Sequence, residues 1–171
     1  MVPGLASALY RILEVGDDNR VSAFGNLTQK SIKAIAKAMD RARLVRQHVG
    51  TQHLLIGIAE ESEVCCQLLE MQGVSYELLY RDIVSRVPIT SRSKKSSDMP
   101  LELPFEESAK EAIESANRLS TRVSTGHLLL ALINNESFAS VRYLERLGCD
   151  VGQLKSALSI ALQASDLCAE E

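Results

Sequence analysis

Two stretches of this 171-residue chain carry almost the same phrase. Residues 49–58 read VGTQHLLIGI, and residues 123–132 read VSTGHLLLAL. Val, Thr, His and two Leu recur in the same places, and the copies differ directly after the Thr, at Gln52 and Gly126. The His precedes a helix-ending Gly by 20 residues in the first copy and by 21 in the second. The phrase therefore predicts an internal repeat.

Apolar residues at helical spacing predict four helices in each copy. Thr28, Thr51 and Thr125 are expected to cap helices, and Gly73 and Gly148 to end them in a left-handed conformation. Asp150 and Gln153 are expected to form a capping box at the start of the last helix. The predicted helices of copy one cover 28–46, a segment from Thr51, 64–72 and 75–87. Those of copy two cover 105–120, a segment from Thr125, a short helix ending at Gly148, and 151–163.

These helices define the expected organisation of the chain. It comprises an N-terminal extension (1–26, with a short amphipathic helix over 4–15), repeat one (27–87), a mobile linker (88–104), repeat two (105–163) and a frayed tail (164–171). The linker is assigned because it is rich in Pro and Ser. The predicted fold is an all-α, pseudo-twofold bundle of two four-helix units with an extra N-terminal segment.

The composition excludes several classes of protein. Hydrophobic residues make up 46% of the chain and aromatic residues 4%, which predicts an aliphatic core. A net charge of -3 and a pI near 5.7 argue against general nucleic-acid binding. No apolar run reaches the roughly 18 residues that span a membrane. The N-terminus makes a poor signal peptide, so we expect the cysteines to be reduced.

The repeat also resembles a known family. LTQKSIKAIAKAMDRARLVRQHVGTQHLLIGI (27–58), LLEMQGVSYELLYRDI (68–83) and YLERLGCDVGQLKSAL (143–158) are similar to the N-terminal domain of Clp/Hsp100 AAA+ unfoldases of the ClpC and ClpA type. The resemblance covers about residues 27–160. It implies a domain that does not hydrolyse ATP, but sits on the unfoldase ring and receives substrates and adaptor proteins.

In some members of that family each repeat also holds a phosphorylated arginine. The resemblance places that pocket at the first residues of helix one and at the Glu that follows the Thr. The matching positions are Leu27, Thr28 and Gln52 in copy one, and Phe105, Glu106 and Gly126 in copy two. Gln52 keeps the reach of Glu without its charge, and Gly126 keeps neither. Because a charge-assisted pair of a carboxylate with a guanidinium is roughly twice as strong as a neutral hydrogen bond, we expect no phosphoarginine binding of the usual kind.

No nucleotide-binding P-loop is present, since no Gly in the chain is followed by Lys. The chain is therefore expected to be a free-standing relative, which the unusual first 26 residues favour, or the N-terminal fragment of a longer Clp ATPase. The leading hypothesis is a non-enzymatic accessory or adaptor-like module that docks on a ClpC-like ATPase or a ClpP-type protease core, in the cytoplasm or the plastid stroma. The alternative is a substrate-recognition module for a modified or basic protein segment.

No residue pattern predicts catalysis, a metal or a cofactor. His53 and His127 lie in different repeats without a metal-binding HExxH motif, so we interpret them as structural residues near helix N-termini. Cys65 and Cys66 are adjacent and do not share a helical face. A hydrolase has no supporting constellation.

A basic stripe is the remaining candidate surface. Lys30, Lys33, Lys37 and Arg41 are spaced three, four and four residues apart, so they share one helix face. The stripe is either a solvated face or a docking surface for an acidic partner, and it lacks the interleaved aromatics of a nucleic-acid site. Tyr76 and Tyr80 are further candidate contacts.

Overall fold

The computed structural model describes residues 26–85 and 103–168, the last four as backbone only. These residues form eight helices and no strand, which confirms the predicted all-α class. The first copy contains α1 (Gln29–Val45), α2 (Thr51–Glu61), α3 (Glu63–Met71) and α4 (Tyr76–Ser85). The second contains α5 (Glu107–Leu119), α6 (Thr125–Asn134), α7 (Ala139–Arg146) and α8 (Val151–Cys168).

Two helices begin at the caps that the sequence predicts. The Thr28 Oγ1 accepts a hydrogen bond from the Ser31 N–H at 3.2 Å. The Asp150 Oδ1 accepts one from the Gln153 N–H at 3.0 Å. Each bond satisfies a backbone donor that has no partner within the helix.

Glycines end the third helix of each copy, as predicted. Gly73 has φ 79° and Gly148 has φ 83°, a conformation that side chains disfavour. The last helix differs from the prediction, because α8 continues to Cys168 instead of ending near residue 163. Residues 164–168 contain no Gly or Pro that would stop it, so the predicted tail is helical over these five positions.

The predicted caps at Thr51 and Thr125 are wrong by one residue. Each Thr is the first residue of its helix, and the caps are Gly50 and Ser124, both with extended backbone. The reason is that the N-cap N–H groups are bonded by the histidines three residues later, which leaves the Thr hydroxyls for other contacts.

The core is built around α2 and α6. Both are buried almost throughout, which is why their sequences are apolar on nearly all sides. Gly57 of α2 crosses α1 so closely that a Cβ would overlap the carbonyl oxygen of Ala34. A residue without a side chain therefore sets the distance between these two helices.

The C-terminal end of the predicted linker packs against the helical bundle. Leu103 is buried, and the carbonyl of Pro104 accepts the Val49 N–H at 3.0 Å. These two residues belong to the folded bundle and not to a mobile segment. The rest of the predicted linker, 88–102, and the predicted N-terminal helix lie outside the described residues.

Candidate interaction site at the crossed repeats

The two copies are joined crosswise at their helix starts. The Thr28 N–H donates to the Val123 carbonyl at 3.0 Å, and the Glu106 N–H donates to the Val49 carbonyl at 3.0 Å. The first helix of each copy thus begins against the second helix of the other. The two parallel bridges pair Leu27 with Val123 and Val49 with Phe105.

This crossing brings candidate site residues of different copies close together. Gln52 lies beside Glu106 of the other copy, and Thr28 lies beside the strand-like residue Val123, three residues before Gly126. The site positions therefore form two composite groups, because the backbone bridges bring together residues that the sequence separates. One group is Phe105, Glu106 and Gln52; the other is Leu27, Thr28 and Gly126.

The group at Gln52 collects hydrogen-bond acceptors. A Cβ built on Gly50 would lie 2.6 Å from the Gln52 Oε1 and 2.7 Å from the Glu106 Oε2, so the ends of these two side chains meet beside Gly50. The Gln52 Oε1 is buried and has no hydrogen-bond partner among the described residues. Glu106 therefore supplies, from the other copy, the carboxylate that position 52 lacks.

The group at Gly126 is covered by α8. A Cβ on Gly126 would lie 2.8 Å from the Leu162 Cδ2 and 3.6 Å from the Leu158 Cδ1. Leu162 belongs to the C-terminal part of α8, near the end that the sequence predicts for this helix. These side chains of α8 occupy the space that a longer side chain at position 126 would fill.

Both histidines are structural, as expected. The His53 Nδ1 accepts the Gly50 N–H at 3.0 Å, and the His127 Nδ1 accepts the Ser124 N–H at 3.1 Å. Burial lowers the pKa of His53 to about 4, so this ring is neutral at physiological pH. With Nδ1 accepting, its proton is on Nε2, which is buried without a partner among the described residues.

The Thr hydroxyls contribute a second set of cross-copy contacts, which the sequence did not predict. The Thr51 Oγ1 accepts the Ser140 N–H of α7 at 3.1 Å. The Thr125 Oγ1 lies 3.9 Å from the Cys65 Sγ of α3. Each second helix therefore contacts the third helix of the other copy, and the hydroxyl of the repeated Thr takes part in this contact.

Half of the basic stripe is engaged within the fold. The Lys37 Nζ lies 2.9 Å from a Glu61 oxygen, and an Arg41 Nη2 lies 2.6 Å from a Glu60 oxygen. Burial raises the pKa of Glu60, but the hydrogen bond and charge of Arg41, with Lys37, outweigh it and leave that pKa below its usual range. These cations fix α1 to α2.

The candidate tyrosines belong to the same cluster. The Tyr76 hydroxyl lies 3.2 Å from the Glu60 Oε2, and the Arg41 guanidinium lies 5.0 Å from the centre of the Tyr80 ring. In contrast, Lys30 and Lys33 are exposed to solvent. They form the half of the stripe that is available to a partner.

Residues 26–85 and 103–168 contain no group of three or more His, Cys, Asp or Glu side chains placed to hold a metal ion. In the same ranges no helix is long and apolar enough to cross a membrane.

A match to a family model identifies the family of this chain. The family model described as the Clp repeat (R) N-terminal domain matches residues 26–125, more than half of the chain. The chain belongs to this family.

Curated relatives of this Clp repeat domain are Clp ATPases. A ClpA homolog, the ATP-binding subunit of an ATP-dependent Clp protease in Cyanidium caldarium, is 29% identical over 161 residues. The ClpC/MecB negative regulator of genetic competence of Bacillus subtilis is 27% identical over 139 residues. The alignments include 87% and 77% of this chain, but only 18% and 16% of those relatives. The chain thus spans less than a fifth of their length.

Solved structures show the same fold. The N-terminal domain of the chaperone ClpD from Arabidopsis thaliana superposes with a TM-score of 0.66 at 24% identity, covering 85% of this chain and 99% of that one. The Hsp104 N-terminal domain from Candida albicans gives 0.62 at 20% identity, with coverages of 82% and 93%. The Clp repeat domain is a protein-interaction module, and the match lies in that part of the relatives, not in their ATPase part.

Proposed function

We propose that this Clp repeat domain is a non-enzymatic accessory module that docks on a ClpC-like ATPase or a ClpP-type core and modulates assembly or substrate delivery. The observation that carries the proposal is the family match, which covers the interaction domain of Clp ATPases. We also propose that the protein acts in the cytoplasm or the plastid stroma. A rice relative named as the chloroplastic chaperone ClpC1, 28% identical, supports the second location.

The exposed half of the basic stripe is the proposed docking surface. Lys30 and Lys33 lie on one face of α1 and are exposed, so they are free to attract an acidic partner. Lys37 and Arg41 are poor choices for a test, because reversing their charge would also break their ion pairs with α2. The variant of choice is therefore Lys30→Glu with Lys33→Glu.

The test measures binding of the purified chain to immobilised ClpC-type ATPase and ClpP-type core, with degradation of an unfolded model substrate as a second readout. Arg122→Glu with Lys155→Glu is the matched control, since it makes the same change in net charge at exposed positions elsewhere. We expect the α1 variant to bind roughly tenfold more weakly and the control to bind normally. If the wild type binds neither subunit and leaves degradation unchanged, the proposal is wrong.

In a variant of the same proposal, this domain is the N-terminal part of a longer Clp ATPase and not a separate accessory module. Immunoblotting of source cells with an antibody to this domain distinguishes these two possibilities. A band near 18.7 kDa supports an accessory module, and a several-fold larger band supports a domain of an ATPase.

A second candidate is recognition of a modified or basic segment at the group of Phe105, Glu106 and Gln52. The position of Glu106 favours it, because this carboxylate lies beside Gln52 and can accept the N–H groups of a guanidinium. Calorimetry with free phosphoarginine tests it. Heat that is lost in Glu106→Gln and increased in Gln52→Glu supports the reading; no heat with the wild type and with Gln52→Glu removes it.

A further inference from the structure

A small cleft between α2 and α7 lies on the other side of Gln52. Its volume is about 220 Å3, and its lining contains two guanidinium groups and no carboxylate. The lining residues are Gln52, Ala139, Arg142, Tyr143 and Arg146. The cleft is therefore positively charged, unlike the acceptor-rich group formed with Glu106.

Both Arg side chains are exposed, and each guanidinium group also makes a contact within the fold. Arg146 lies 5.2 Å from the centre of the buried Tyr143 ring and donates to the Asp82 Oδ2 at 3.0 Å. Arg142 donates through Nη2 to the carbonyl of Ser137 at 3.0 Å. A guanidinium has five N–H donors, so each Arg keeps donors for another group. Because they are already oriented, less entropy is lost when they bind an anion.

The charge and the volume of the cleft restrict which kind of anion it can bind. Asp82 neutralises about one of the two positive charges, which leaves the equivalent of one cation for a ligand. A carboxylate carries one negative charge, whereas a phosphorylated side chain carries about 1.5 to 2. The volume is also below the roughly 300 Å3 of the smallest typical small-molecule pockets. A single side chain or a chain end fits these limits.

The neutral side chain at position 52 is consistent with an anion site. A Glu there would place a carboxylate in the wall of the cleft, beside Arg142 and Arg146, and would neutralise them. Gln52 leaves their charge available. We propose that the α2–α7 cleft binds a carboxylate presented by a polypeptide, with Arg142 and Arg146 as the two guanidinium donors.

This inference rests on the proposed function, because it gives the chemistry by which an interaction module would hold a partner. It is tested without any Clp subunit, so either proposal can fail alone. The probes are three short peptides in an NMR titration of the isotope-labelled chain. One is an acetylated alanine tetrapeptide with a free C-terminal carboxylate, the second is its C-terminal amide, and the third is an amidated peptide with one internal Glu.

We expect the backbone signals of Gln52, Ala139 and Arg142 to shift with a carboxylate peptide, and not with the uncharged amide. Whether the terminal carboxylate or the internal Glu gives the larger shift identifies the source of the group. Added salt should weaken the binding. The Arg142→Ala, Arg146→Ala double variant should raise Kd by about tenfold or more, and Arg142→Lys should have a smaller effect because it keeps the charge but not the planar fork.

Gln52→Glu gives the sharpest comparison, because it should weaken carboxylate binding here but strengthen binding of a guanidinium at the group with Glu106. Arg122→Ala is the matched control, since Arg122 is exposed outside the cleft. Equal shifts with the amide peptide, shifts that persist in the double variant, or no shift through the millimolar range would each overturn the inference.

Discussion

The helix starts at Gly50 and Ser124 share a backbone but differ in what covers them. In copy one, Gln52 is bordered by Glu106 on one side and by the α2–α7 cleft on the other. In copy two, the equivalent position is Gly126, and Leu162 of α8 lies against it. The same fold thus holds one open helix start and one filled by an apolar side chain. This asymmetry shows that two copies of a repeat can keep the same backbone while different side chains cover their helix starts.

The largest expected effect concerns acid stability at His53, at the helix start of copy one. Because its folded pKa is about 4 and the unfolded value is about 6.5, the unfolded chain binds the proton first as pH falls. The stabilisation is complete above pH 6.5 and decreases toward pH 4, by about 2 kcal/mol at pH 5 and about 3 kcal/mol at pH 4. Urea unfolding at pH 7, 5 and 4 measures it.

His53→Gln is the control for this prediction, since Gln at the same position accepts the N-cap N–H without titrating. The variant should lose this part of the pH dependence. A variant whose pH dependence equals that of the wild type would contradict the assignment to His53.

The next prediction uses the helix crossing at Gly57. The equivalent residue of copy two is Ala131, so only copy one requires a glycine here. Gly57→Ala should destabilise the fold by about 2 kcal/mol, because its methyl group meets the backbone of Ala34, which cannot move like a side chain end. Ala131→Gly should cost about 1 kcal/mol through helix propensity, and further stability because its buried methyl group is lost. Denaturant midpoints give both values, and a neutral or stabilising Gly57→Ala would show that the crossing is not tight.

A third test introduces Gln, the residue at position 52 of copy one, at the equivalent position 126 of copy two. Gly126→Gln should cost about 1 kcal/mol, because Leu162 has to move but is flexible. Combining it with Leu162→Ala should cost less than the sum of the two single changes, since the smaller residue leaves room. Thermal unfolding of the four proteins completes the cycle. Strict additivity would mean that Leu162 does not limit position 126.

The smallest expected effect distinguishes the two halves of the basic stripe. Glu60→Gln should destabilise by about 1 kcal/mol at neutral pH, because it weakens a half-buried pair with Arg41. Lys33→Gln should change stability by less than about 0.5 kcal/mol. Denaturant midpoints compare the two, and equal effects would remove the distinction. Copy two lacks this ion-pair cluster, because the positions equivalent to Lys37, Arg41 and Glu60 carry the uncharged residues Ser115, Leu119 and Asn134.

Much of the fold could be predicted from local patterns. The caps at Thr28 and Asp150 and the glycines at Gly73 and Gly148 are local signals, and the structure confirms them. The displaced cap at Thr51 could not be predicted from residue preferences, because Thr and Gly are about equally good caps in isolation. It depends on His53 bonding the N-cap N–H and on a tertiary role for the Thr hydroxyl.

The candidate site was harder to predict, for a physical reason. The residue types at Gln52 and Glu106 were identified from the family pattern, but their proximity results from backbone bridges between copies. A repeat pattern in one sequence does not say whether a helix packs within its own copy or against the other. The contact between Leu162 and Gly126 is likewise tertiary, and the apolar pattern of the last helix does not say which residue its side chains cover.

The crossed helix starts have a consequence for how the chain folds. The Ser31 hydroxyl bonds the Val123 carbonyl across 92 residues of sequence, and the Ser140 N–H bonds the Thr51 hydroxyl across 89. Neither repeat can complete its hydrogen bonds until the chain between the two copies has closed into a loop. This favours slow, all-or-none folding over folding of one repeat after the other. A chain cut within residues 88–102 would give two fragments that each lack part of their core, and mixing them would restore the native bundle by fragment complementation.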